Sequence, residues 1–124
     1  MSYPIGGVQT TLVDVGATSA TRQTLVTPTA GLAVRVLSVQ VVTRGLTTNP
    51  DRVGVYFGTG AAYATTPANA IGECVPGTPG DEILGPWSAK EGPIGLVDQV
   101  VSGITESETE LALRYTIVYQ EESL

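Results

Sequence analysis

Near the C-terminus, Leu111, Leu113, Tyr115, Ile117 and Tyr119 alternate strictly with Ala112, Arg114, Thr116 and Val118. A side-chain period of two fits a β-strand with one face buried and is incompatible with an amphipathic helix. The segment Glu110–Gln120 is therefore expected to be a strand, and one central to its sheet. Val, Thr and Gly recur along the rest of the chain while Lys, Gln and Met are sparse, a balance that favours strands joined by turns.

Other segments repeat the pattern. Gln9–Val15 and Arg22–Val26 alternate β-branched and polar residues around a small, turn-like stretch, which predicts a hairpin. Leu32–Arg44 carries the strongest strand signal, but Leu37, Val39 and Val41 fall on one face and Val34 and Val36 on the other. A straight strand of that length would reach ~43 Å, beyond the usual range, so a bulge or bend is expected near Val36. Arg52–Gly58, Ile71–Val75, Glu82–Trp87 and Pro93–Gly103 complete the set. Asn49-Pro50-Asp51 and Pro76–Asp81 are turns, and 59–70 reads as a loop carrying Tyr63.

About eight strands without a helical pattern predict an all-β fold: an antiparallel β-sandwich with jelly-roll or Greek-key connections. The 124 residues suffice for one core. Residues 1–8, which contain Gly6-Gly7 and lack alternation, are expected to form a flexible N-terminal arm, 9–120 the sandwich, and 121–124 a C-terminal tail.

Composition removes most chemistry. The chain has no histidine, which rules out Ser-His-Asp and Cys-His arrangements and histidine-based metal sites. Its one cysteine, Cys74, excludes an internal disulfide and falls in an apolar strand, where an inert buried thiol is expected. Glu106, Glu108 and Glu110 enter a strand on one side and read as an acidic rim, with weakly held calcium as the other reading. Lys90, the only lysine, sits beside Glu91 in a turn. Trp87 is expected to plug one end of the sandwich; a sugar-stacking platform is the alternative. No catalytic, cofactor-binding or metal-ligating residue is assigned.

A net charge of −6 repels nucleic-acid phosphates and anionic membranes, so neither is an expected partner. The N-terminus lacks a basic region followed by an apolar run, and synthesis and folding in the cytoplasm are expected. With Tyr115 and Tyr119 on the core face, Tyr3, Pro4, Ile5 and Tyr63 become the candidate contact residues.

The segment order Val34-Arg-Val-Leu-Ser-Val-Gln-Val-Val42, Val53-Gly-Val-Tyr-Phe-Gly58, Gly85-Pro-Trp-Ser88, Gly95-Leu-Val97 and Leu111-Ala-Leu-Arg-Tyr-Thr-Ile-Val-Tyr119 resembles small virion proteins of tailed bacteriophages. In particular, it is similar to jelly-roll capsid decoration proteins, over roughly residues 30–120. The resemblance implies a non-enzymatic protein on the capsid surface, made in the host cytoplasm, often a homotrimer, whose partner is the major capsid protein or another virion protein. Another phage structural role (head-tail joining, spike or fibre head) and a carbohydrate-binding module remain the alternatives.

Overall fold

The computed structural model describes residues 3–15, 22–43, 52–60, 69–75, 80–105 and 113–124. Eight strands run in order: β1 (Tyr3–Val15), β2 (Gln23–Val26), β3 (Ala33–Thr43), β4 (Val53–Phe57), β5 (Ala70–Cys74), β6 (Gly80–Leu84), β7 (Val101–Thr105) and β8 (Leu113–Ser123). They form two antiparallel four-stranded sheets, β1-β8-β3-β6 and β2-β7-β4-β5, stacked as a β-sandwich. The first strand pairs with the last, the second with the seventh, the third with the sixth and the fourth with the fifth. That nesting is a long hairpin folded across itself.

β1 and β2 consequently do not make the expected hairpin. They lie in different sheets, each held by a strand from the far end of the chain. Alternation reports which face of a strand is buried, whereas the choice of partner depends on contacts about a hundred residues away.

The core is formed by the inward faces of both sheets. Leu113, Tyr115, Ile117 and Tyr119 of β8 alternate inward as expected, and Phe57 and Cys74 are buried opposite them. The register between β3 and β8 slips between Val36 and Ser38, where the faces conflicted in the sequence. With Leu37 as the extra residue, Val34, Val36, Val39 and Val41 all point into the core and are fully buried.

The bulge leaves backbone groups that something must satisfy. Residues 85–99 do so as a strap along β3 beyond the reach of β6. Trp87 N–H donates to Leu37 O (2.7 Å), Val36 N–H to Pro93 O (2.9 Å), Gly95 N–H to Val34 O (3.0 Å) and Asp98 N–H to Leu32 O (2.9 Å). The strand expected over 93–103 is therefore regular only from Val101. Before it, the strap makes an isolated bridge between Ile94 and Arg35 and then turns at Leu96–Gln99. Trp87 is half-buried and packs against the core.

Both chain ends depart from expectation. From Tyr3 onward the residues assigned to an arm belong to β1: Tyr3, Pro4 and Ile5 pair with Ser123, Glu122 and Glu121, and the register shifts before Gln9. Pairing is a backbone matter, so a segment without alternating side chains can still add to a sheet. The expected tail is likewise the end of β8, and Glu121 and Glu122 are 7% and 3% exposed.

Candidate interaction surface

Among the described residues no three His, Cys, Asp or Glu side chains converge as metal ligands. Glu106, Glu108 and Glu110 lie outside the described residues. Burial pushes the Cys74 thiol up to about 12, with a smaller push from the Glu82 charge, which leaves it protonated and unreactive.

Surface features are more informative. A sheet edge presents unpaired N–H and C=O groups, and proteins guard such edges with charge, shortness or cover. Three of the four edge strands here follow that rule. β2 has four residues, and β5 and β6 have five each, with Glu73 on β5 and Asp81 and Glu82 on β6. β1 is different: it is 13 residues long and its one charged residue, Asp14, is paired with Arg114 across the ladder at 2.8 Å. Long, and with its one charge already paired, its edge from Gln9 onward, past the Pro4 and the register shift that interrupt the N-terminal part, carries no strand among the described residues and is suited to strand addition by another chain.

The sequence-derived candidates partly converge on this strand. Tyr3 and Ile5 are exposed on β1, and Pro4 between them borders a cleft. Tyr63 lies outside the described residues. Leu12, 60% exposed, begins a cross-strand row through Thr116 and Gln40 to exposed Ile83 on the outer face of the same sheet. Leu96 and Val97, 70% and 44% exposed, form the tip of the strap's turn. There Asp98 takes a positive φ of 63° and its carboxylate accepts from Gly31 N–H at 2.6 Å. Reading 93–103 as a strand hid this tip; an apolar pair at a turn was the signal available.

Where β1, β8 and β3 end together, charged groups enter the protein. The Arg35 guanidinium forks onto Glu122, through Nε to Oε2 and through Nη2 to Oε1 (3.2 Å), while Nη1 donates to Gly92 O (2.7 Å). On the opposite face of β8, Glu121 accepts from Thr29 N–H (2.5 Å), Thr29 Oγ1 (3.0 Å) and Gln9 Nε2 (3.2 Å). Burial alone would raise its pKa, but the Thr29 backbone N–H, followed by the Gln9 and Thr29 side chains, holds it below the usual carboxylate range. Beside the Arg35–Glu122 pair lies a cleft of about 440 Å³ lined by Pro4, Arg35, Ala89, Lys90, Gln120 and Glu122.

A chain in the acidic stable capsid structure of Helicobacter pylori bacteriophage KHP30 superposes with a TM-score of 0.62 over 97% of this chain and 93% of that one, at 12% identity. The chain folds like a component of a phage capsid structure. At that identity the likeness is one of fold. A chain of the cyanophage Pam1 capsid asymmetric unit covers 92% of this chain and 83% of its own, at 16% identity and a TM-score of 0.45, too loose a superposition to build on. No protein-family model matches the sequence, and no curated protein does.

Proposed function

We propose that this chain is a non-enzymatic structural protein of a phage virion: a jelly-roll capsid decoration protein, made in the host cytoplasm, that binds the outer surface of the head and stabilises contacts between major capsid subunits. The observation that carries the reading is the extent of the fold match, which takes in 97% of this chain and 93% of its counterpart in the KHP30 capsid structure. Strand order supports the jelly roll, since the nested pairing of first with last through fourth with fifth is what that fold requires. The histidine-free composition and the protonated Cys74 support a role in contact rather than chemistry. A homotrimer is what the resemblance implies, and it would let several weak edges act together.

β1 supplies the contact in this reading. Its free edge offers main-chain hydrogen bonds, and Tyr3, Pro4 and Ile5, with Tyr63, offer apolar surface at roughly 25 cal/mol per Å² buried. Light scattering on the purified protein, followed by cosedimentation with undecorated phage heads, tests it. A trimer that pellets with heads, and a Tyr3→Ser/Ile5→Ser variant that pellets less, are expected. A strict monomer that stays in the supernatant overturns the decoration role, and glycan-array binding by that monomer would replace it with a carbohydrate-binding function.

A further inference from the structure

The cleft between the strap and the N-terminal end of β1 has the features of a binding site rather than a surface irregularity. Gln120, a residue only 8% exposed, lines it, yet its side-chain amide has no hydrogen-bond partner among the described residues. Buried polar groups are nearly always paired, and one that is not calls for a ligand or an ordered water. Lys90 borders the same cleft and makes no ion pair among the described residues. Arg35 is already committed to Glu122 and the Gly92 carbonyl, so the floor of the cleft is electrically neutral. Lys90 is thus an exposed cation at the mouth of the cleft, without an ion pair among the described residues, on a molecule whose net charge is −6.

From these observations we infer that the cleft accepts a carboxylate from an extended acidic segment of a partner protein, which receives hydrogen bonds from Lys90 Nζ and Gln120 Nε2. A buried amide with an unused donor and a free ammonium together match a planar anion with two acceptor oxygens. The volume, about 440 Å³, exceeds what a lone carboxylate fills, and Pro4 and Ala89 give the walls apolar surface for the methylenes that carry it. A peptide source is favoured by continuity: Pro4 belongs to β1, whose outer edge bears no strand among the described residues, so a segment lodged in the cleft lies near an edge whose groups beyond Pro4 can pair with its backbone.

The test needs only the purified chain, so its failure and the failure of the capsid reading are separable. The isotope-labelled protein is titrated with the blocked peptide Ser-Val-Glu-Val-Ser, its Ser-Val-Gln-Val-Ser counterpart and inorganic phosphate, while the Gln120 side-chain NH₂ resonances are followed by NMR. Saturable shifts with the Glu peptide are expected. Binding should weaken about ten-fold or more with the Gln peptide or with Lys90→Gln, as the loss of a charge-assisted hydrogen bond requires. Lys90 is exposed on a turn, so that variant retains the fold. No saturation with the Glu peptide, equal shifts with the Gln peptide, or stronger binding of phosphate than of the Glu peptide would each overturn the inference.

Discussion

Replacing Gly92 with alanine tests how closely the strap is fastened to β3. A Cβ built there stands 2.1 Å from the Val36 carbonyl oxygen and 3.5 Å from Arg35 Cγ. Carbon–oxygen contacts settle at ~3.3 Å or more, so strap and strand must part by roughly an ångström. The obstruction is backbone and cannot rotate away. The bonds nearest the wedge are Val36 N–H to Pro93 O at 2.9 Å and Arg35 Nη1 to Gly92 O at 2.7 Å, and both would stretch past useful length. Two lost bonds, one leaving a buried N–H unpaired, amount to about 2–4 kcal/mol. That is a large share of the stability of a small domain, commonly about 5–15 kcal/mol. With a mid-range urea dependence of about 2 kcal/mol per molar, the unfolding midpoint should fall by about 1–2 M. Gly7→Ala is the control, because Gly7 has no positive φ and open space around its Cβ position; its midpoint should match wild type. A Gly92→Ala midpoint within error of wild type would refute the close approach, as would an unchanged exchange rate for the Val36 amide.

Three further outcomes follow from the charged and titratable groups. Glu121 has a folded-state pKa below the ordinary 4.5, so its contribution is present above that value and is lost as pH falls through the lowered one. Glu121→Gln should therefore flatten the decline of the urea midpoint below about pH 4.5, and parallel acid profiles would contradict the assignment. Cys74, buried and raised to about 12, should resist a thiol reagent at about pH 8 in the native protein and react at once in urea; labelling of the folded chain at the rate of free cysteine would show the site to be open. Arg114→Ala breaks an exposed pair with Asp14 and should leave the urea midpoint where it is, a clear drop being the contrary result.

The candidate contact residues were only partly legible in the sequence. Tyr3, Pro4 and Ile5 stood out because they are bulky or rigid groups in a stretch without core periodicity, and Tyr3 and Ile5 are exposed. Leu12 escaped because its strand alternates, and alternation does not say which neighbour is missing. Lys90 read as a solvated turn and Gln120 as a strand residue. Their meeting in one cleft depends on the strap's fastening along β3, which brings Ala89 and Lys90 to the cleft that Gln120 lines.

By itself, the sequence determined the class of the fold, most of the strands and the need for a bulge at Val36, because each follows from side-chain period and turn chemistry within a few residues. It also determined that histidine chemistry is absent. Tertiary structure decided the pairing of the first strand with the last, the folding of 85–99 onto β3, and the burial of Glu121 and Glu122. Those two carboxylates enter the protein where Thr29 and Arg35, 92 and 87 residues away along the chain, meet them with donors, joined at Glu121 by Gln9. The periodicity of a strand is fixed by its own backbone, but the cost of burying charge is offset by whatever the rest of the fold brings alongside.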